Sequence, residues 1–377
     1  MRAVVITEFG VKPLVEDVDE PKSSRDGVVV RVEATGVCRS DWHAWQGHDP
    51  SVALPHVAGH ELAGRIVEVG SEVRGWRLDE RVTVPFVCAC GACPQCASGN
   101  QQVCDRQFQP GSTHWGSFAE FVALDHAEVN LVRLPGSIDS VAAAALGCRF
   151  GTAFRAVLRQ GEVRPGQWVA VHGCGGAGIS AVLIAVAAGA RVVAVDLSRA
   201  ALELVLSLGA EVVIDAGEVD DVAAAVREVT GGGAHVSLDC VGHPATCAAS
   251  VACLRKRGRH VQVGLMPPSL GVAPIPMHQV IADELVLLGS HGVQAHEYPA
   301  MLSMVERAGM DLSRLVGPRI SLDGVPGALV AMNDAAPGRP GVTVVDLTHE
   351  SPPPDSEFPI RGARTENSRS GGGDSRG

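Results

Sequence analysis

Between residues 168 and 240 short apolar runs alternate with Ala- and Leu-rich runs of helical length, and a glycine-rich turn stands at the first crossing. Residues 168–172, 191–195, 211–215 and 236–240 read as strands, and residues 179–188, 200–208 and 219–230 as helices. Strand, helix, strand repeated in this way predicts a doubly wound parallel sheet of the α/β class. The turn is Gly173-Cys174-Gly175-Gly176-Ala177-Gly178, a G-x-G-x-x-G pattern that follows a strand and opens a helix. In that context the first glycine permits the tight turn, the second lets a pyrophosphate approach, and the third packs helix on strand. The phosphates then sit on the helix N-terminus. Asp196 ends the next strand, beyond the helix that the turn opens. A carboxylate there accepts hydrogen bonds from a ribose 2′-OH and repels a 2′-phosphate, which favours NAD over NADP. Arg199, three residues on, softens that preference.

Ahead of residue 140 the chain has a different rhythm. Residues 1–35, 62–84 and 120–134 are Val- and Gly-rich with turn formers between them, and read as β structure without a parallel-sheet repeat. Within this part stand Cys38-Arg39-Ser40-Asp41-Trp42-His43 and then Gly59-His60-Glu61. A thiolate and an imidazole with a carboxylate beside it suit a Zn²⁺ ion that keeps a position open for substrate. Taken singly, the same residues equally suit a buried cysteine and a satisfied core histidine. Thr35-Gly36-Val37 is expected to end a strand and present Cys38 at a turn.

Cys90, Cys93, Cys96 and Cys104 give C-x₂-C-x₂-C-x₇-C. Four thiolates so spaced close a tetrahedral site with no open position, the structural type of zinc site. An iron–sulfur cluster or plain surface thiols are the other readings of the spacing. Gly91, Pro94, Ser98 and Gly99 are the turn formers a loop around an ion needs. Cys88 fits the set poorly.

Formal net charge is −11, which argues against a nucleic-acid partner or an anionic membrane surface. The start, Met1 to Glu8, meets acidic residues too early for a signal peptide, and no apolar stretch reads as a transmembrane span. A cytoplasmic protein follows, in which eleven cysteines point to metal ligation and free thiols rather than a disulfide framework. The Ser-, Gly- and Pro-rich stretch 351–377 cannot bury a core and is expected to be disordered.

Zinc-type ligands, a four-cysteine loop and a dinucleotide fold in this order resemble the zinc-dependent medium-chain alcohol dehydrogenases, in their short microbial and yeast-like form. The resemblance covers about residues 1–350 and rests on Gly59-His60-Glu61 with Ala63-Gly64, the four-cysteine loop, and Gly173 to Gly178. It implies a mainly β, GroES-like catalytic domain over 1–149, a Rossmann coenzyme domain over 150–289, a return to the catalytic domain over 290–350, and the tail 351–377. It adds Cys148, just ahead of the coenzyme domain, as third ligand. Cys38, His60 and Cys148 then hold a catalytic zinc, with Glu61 behind it as a transient ligand. The resemblance assigns Ser40 to a proton relay, His43 to the outer end of that relay, Arg39 to the coenzyme pyrophosphate, and Arg339 to a second phosphate contact.

The implied reaction is hydride transfer between an alcohol and NAD, giving an aldehyde or ketone, with two Zn²⁺ per chain. The implied partner is a small alcohol or aldehyde. The short span from His60 to Cys148 resembles the short forms, mostly homotetramers. A pocket-narrowing tryptophan common in those forms is matched here by Asp49. Of Trp42, Trp45, Phe86, Trp115 and Phe150, most are expected in the core, and Phe86 is the candidate pocket wall. A polyol or amino-alcohol dehydrogenase of the same superfamily is the nearest alternative, although those often lack the loop and use an acidic third ligand. A non-catalytic dinucleotide-binding protein is the alternative from a different class.

Overall fold

The computed structural model describes residues 1–266, 268–333 and 341–348. Arg339 and the stretch 351–377 lie outside the described residues. The alternation after residue 168 builds a six-stranded, wholly parallel sheet. Its order across the sheet is Val212–Asp215, Arg191–Asp196, Trp168–His172, Ala234–Asp239, Leu254–Gln262, Val286–Gly289. Chain order therefore reverses between Trp168–His172 and Ala234–Asp239. A crevice opens beyond the carboxyl ends of strands at such a switch point, and ligands bind there.

The central strands are buried on both faces. Val169, Ala170, Val171, Val193, Ala194 and Leu238 are all fully inaccessible. This is why they read as continuous apolar runs rather than alternating ones. Short polar caps start the covering helices: Ser198 Oγ accepts from the Ala201 amide at 3.3 Å and Asp221 Oδ1 from the Ala224 amide at 3.0 Å. Each such cap is worth about 1 kcal/mol. The observed helices, Gly176–Ala187, Arg199–Ser207 and Val222–Val229, overlap the expected ones. The first begins three residues earlier than expected, because glycines in the turn adopt helical backbone as soon as Gly175 caps them.

The other sheet has seven strands and is mainly antiparallel. Its centre is the pair Val28–Val37 and Glu61–Val69. Val316–Ile320 and Val342–Asp346 join the same sheet, the latter beside Val28–Val37. The chain thus leaves the first sheet, builds the parallel one, and comes back. A separate three-stranded sheet pairs Arg2–Ile6 with Leu14–Asp17 and His56–Val57. Among the described residues no helix is long and apolar enough to cross a membrane.

Candidate metal and coenzyme site

Val28–Val37 ends where Thr35-Gly36-Val37 hands the chain to a turn, and Cys38 caps the helix Arg39–Trp45. Asp41 reaches back from the first turn of that helix to accept the Cys38 amide at 2.8 Å. The other Asp41 oxygen accepts from the Gly59 amide at 3.0 Å and faces His60 Nδ1 at 2.9 Å. One buried carboxylate therefore locks the loop that carries Cys38 to the turn that carries His60. It also fixes the histidine's tautomer, since Nδ1–H is committed to it. His60 Nε2 is left buried with no hydrogen-bond partner. A buried acceptor without a partner is costly and calls for an occupant.

The ligand atoms of Cys38, His60 and Cys148 lie within 4.8 Å of one another, so that occupant is framed by two thiols and an imidazole. The electrostatics favour a cation. A hydrogen bond from Cys148 holds the Cys38 thiol well below its usual pKa against burial, with Arg149 adding to the effect. The Cys148 thiol is pushed up by the same bond and by burial. Burial lowers the His60 pKa, but the Asp41 carboxylate more than reverses this and draws positive charge onto the ring. The same field attracts a dication, and the donor set suits Zn²⁺.

Glu61 is fully buried behind this group, and burial raises its pKa. Arg149 grips it from the next residue after Cys148, through its backbone amide and Nε, each at 3.1 Å, and through Nη2. Glu61 is thus held by a guanidinium rather than aimed at the three ligands. The role of Arg149, like that of Asp41, was not read from the sequence. Asp41 left one signal, an acidic residue three positions after a helix-capping cysteine.

Ser40 Oγ lies 3.6 Å from Cys38 Sγ, at the edge of the same cluster. His43 sits one turn along the helix, but no hydrogen bond joins it to Ser40. Instead His43 Nδ1 meets His48 Nδ1 at 3.0 Å. Burial, His48 and Arg39 all lower the His43 pKa, so the ring is neutral at pH 7. Arg39 stacks on Trp42, with the guanidinium carbon 4.1 Å from the ring centre, and donates to the Met332 carbonyl at 2.5 Å. Asp49 accepts from Ser51 in its own loop and from Ser112 in a loop distant in the chain. Phe86 stands edge-on to His60 with ring centres 6.1 Å apart, and His291 stands edge-on to Phe86 at 5.2 Å. Trp45 and Phe150 are core, Trp42 is half-buried, and Trp115 is exposed.

Cys90, Cys93, Cys96 and Cys104 form the second cluster. Three of their six Sγ–Sγ distances, 3.4, 3.5 and 3.6 Å, are close to the roughly 3.8 Å edge of a tetrahedron with ~2.3 Å zinc–sulfur bonds, and all lie within 4.8 Å. Backbone amides of Cys90, Ala92 and Arg106 donate to Cys104 or Cys90 sulfur, which favours thiolates. The Ala92 amide brings the Cys90 pKa down to about 6. Burial raises Cys88, which stands apart from the four. The loop is tied to the far side of the crevice: Gln294 Nε2 donates to the Gly99 carbonyl at 3.1 Å, and His291 Nδ1 lies 3.2 Å from the Gln102 carbonyl.

The glycine-rich turn lies at the switch point. Gly173 has φ +89°, a left-handed value that suits glycine. A Cβ on Gly178 would come within 1.8 Å of the Gly173 carbonyl oxygen, so no larger residue fits there. The space at Gly175, which caps the helix, is open, as an approaching pyrophosphate requires. Gly176 is covered by the Arg149 side chain, which therefore touches the turn as well as Glu61. Asp196 ends its strand and accepts from the Cys174 amide at 2.5 Å and the Ser198 amide at 2.7 Å. Its carboxylate stands beside the turn, with Arg199 exposed next to it.

Comparison with known proteins agrees with this geometry. Residues 24–136 match the alcohol dehydrogenase GroES-like domain and residues 176–307 the zinc-binding dehydrogenase domain. The chain is 37% identical to an alcohol dehydrogenase of Geobacillus stearothermophilus over 295 residues, 77% of this chain and 84% of that protein. The solved alcohol dehydrogenase of the archaeon Aeropyrum pernix is 30% identical, with a TM-score of 0.81 over 92% of this chain and 100% of that one. A dehydrogenase of the zinc-binding type from Sinorhizobium meliloti 1021, solved bound to NADP, is 28% identical, with a TM-score of 0.82 over 92% and 98% of the two chains. With two thiols and an orphaned imidazole beside a dinucleotide turn, and with these likenesses over most of its length, the chain belongs to the zinc-dependent medium-chain alcohol dehydrogenase family.

Proposed function

We propose that the protein oxidises small alcohols to aldehydes or ketones, or catalyses the reverse reduction, with NAD as coenzyme and two zinc ions per chain. The observation that carries this reading is the unpartnered, buried His60 Nε2 facing Cys38 and Cys148 at the mouth of a dinucleotide fold. In this reading Cys38, His60 and Cys148 hold the catalytic ion, and the four-cysteine loop holds a structural one. When bound, zinc acidifies a substrate hydroxyl and nicotinamide takes up the hydride.

The remaining work falls to the chain's own residues. Asp41 keeps Nδ1–H on His60 so that Nε2 stays a donor of electrons. Arg149 holds Glu61 in place and meets the coenzyme turn, linking the two halves of the site. Phe86 offers an apolar wall to the substrate. Ser40 Oγ receives the substrate's hydroxyl proton, and His43 passes it outward. His48 extends this path, since it is exposed and its Nδ1 meets that of His43. Gly173, Gly175, Gly176 and Gly178 take the pyrophosphate, with Arg39 beside it. An assembly of several chains, a tetramer as in the short forms, belongs to the proposal. The edge strand Val286–Gly289, where Leu287 is exposed, supports it.

The test is to follow NADH formation with primary, secondary, aromatic and polyol alcohols, before and after metal removal. Activity should vanish on removal and return with zinc. Turnover that survives complete removal would overturn the reading.

Coenzyme choice gives a further expected result. Asp196 should make NAD the better coenzyme by kcat/KM, and Asp196→Ala should narrow the ratio by at least roughly tenfold, the worth of one lost charge-assisted hydrogen bond. A wild-type enzyme that preferred NADP would show Arg199 prevailing over Asp196.

The relay gives another. His43 works as a base only when neutral, and burial, His48 and Arg39 lower its pKa, which favours the neutral ring. His43→Gln should therefore trail the wild type throughout the pH range above the His43 pKa, and the gap should close as pH falls through it. General acid–base groups contribute ~10²–10⁴-fold. An outer relay member, replaceable by water, should lie at about tenfold or less, with partial rescue by added imidazole. Identical pH–rate profiles would remove His43 from the path.

A further inference from the structure

The strand Leu254–Gln262 opens with Leu254-Arg255-Lys256-Arg257-Gly258-Arg259, a basic run in a chain of net charge −11. Its pairing shows how these cations are displayed. Ala234 lies opposite Leu254, yet Val236 lies opposite Arg259. Five steps on one strand face two on the other, so residues 255–258 are extruded as a wide bulge. At its tip Arg257 has φ +61°, a conformation arginine rarely adopts, and its amide is tied to the Asp283 carbonyl at 2.7 Å.

The bulge meets Arg164 and His235 around a cavity of about 260 Å³. The cavity lies at the amino ends of the strands. It is therefore on the opposite edge of the sheet from the glycine-rich turn, which follows the carboxyl end of Trp168–His172. Arg164, Arg255, Lys256, Arg257 and Arg259 line it, against a single acidic lining residue, Glu162. Arg259 is paired with Glu162, and Arg257 with Glu284 at 2.9 Å. Arg164 and Lys256 are exposed and have no ion pair among the described residues.

Arg255 Nη1 points at His235 Nε2, 2.8 Å away. The other ring nitrogen, Nδ1, accepts from the Trp168 amide at 3.0 Å. A neutral imidazole has one acceptor nitrogen, and the amide uses it. Nε2 then carries a hydrogen, so the guanidinium faces a donor. Burial and the nearby Arg255 lower the His235 pKa, so the ring does stay neutral. Arg255 thus finds no acceptor in the ring and has no ion pair among the described residues, so its remaining donors are open to an acceptor in the cavity it lines.

We propose that this cavity binds a phosphate group, either free or as the ester of a small metabolite, through Arg255, Lys256 and Arg164. Cationic donors converge from two segments of chain, Arg164 on one and Arg255 with Lys256 on the other, which suits the charge and three terminal oxygens of phosphate better than the two oxygens of a carboxylate. A water molecule's share of liquid is about 30 Å³. The cavity therefore has room for a sugar as well as its phosphate. The site does not depend on the oxidoreductase reading.

The experiment is calorimetric titration of inorganic phosphate and, separately, of ribose 5-phosphate into the full-length enzyme. NAD is kept saturating to fill the coenzyme crevice, and chloride holds ionic strength constant. Each ligand should bind once per chain. Arg255→Gln combined with Lys256→Gln should weaken binding at least tenfold and leave alcohol turnover unchanged. Exposed Lys256→Glu, which tests the charge without touching the bulge's packing, should weaken it in the same direction. Tighter binding of ribose 5-phosphate assigns the site to an ester, and tighter binding of phosphate to the free ion. Absence of binding beyond a chloride control, or unchanged binding in both variants, overturns the proposal.

Discussion

Cys148→Ala should abolish alcohol turnover while leaving the fold intact. Cys148 stands where the chain crosses into the parallel-sheet half, with its thiol turned to Cys38 and His60. In the proposed reading its removal would delete one of three ligands and leave an open site unable to hold its ion in register. Lewis-acid assistance is worth several kcal/mol. At about 1.4 kcal/mol per tenfold, the loss should be roughly 10³-fold or more in kcat/KM. Leu146 and Phe150, which flank it and are fully buried, stay in place, so the melting temperature should change little. Cys38→Ala should behave alike. Near wild-type activity in either variant would mean that the ligand assignment is wrong.

Cys96→Ser should act on stability rather than chemistry. Cys96 is one of four sulfurs in a closed cluster with no open position. A caged structural zinc contributes its binding free energy directly to folding. In a protein of this size only part of that is felt, because the loop can open locally while the two sheets persist. Several kcal/mol at roughly 2–4 °C per kcal/mol implies a fall in Tm on the order of 10 °C. The loop also anchors residues 291–296 across the crevice, so its loosening should raise the KM for coenzyme. A variant with unchanged Tm and unchanged zinc content would remove the structural ion from the account.

Local signals explain what was readable in the sequence. Trp168–His172 and Arg191–Asp196 carry continuous apolar runs because both of their faces are covered, and these strands and the edge strand Val212–Asp215 agree with the expected ones within a residue. The glycine turn and the four-cysteine loop are short-range patterns whose geometry is dictated by neighbours in the chain. The strand Leu254–Gln262 was missed for the opposite reason. Its Arg255 to Arg259 run carries polar bulge residues where a buried parallel strand should be apolar. Asp41 with His60, and Arg149 with Glu61, are pairs distant in the chain, and only the folded sheet brings them together. Ser40 and His43 are assigned to one relay by the resemblance, and in the structure His43 meets His48, with no direct hydrogen bond to Ser40. Spacing along a helix sets which side chains are near, and competing partners decide which bond forms.

The most direct test of the account is the zinc content of the purified wild-type protein measured beside that of Cys148→Ala. About two ions per chain are expected in the wild type and about one in the variant, with the remaining ion held by Cys90, Cys93, Cys96 and Cys104. A wild type with one ion, or a variant that retains two, would contradict it.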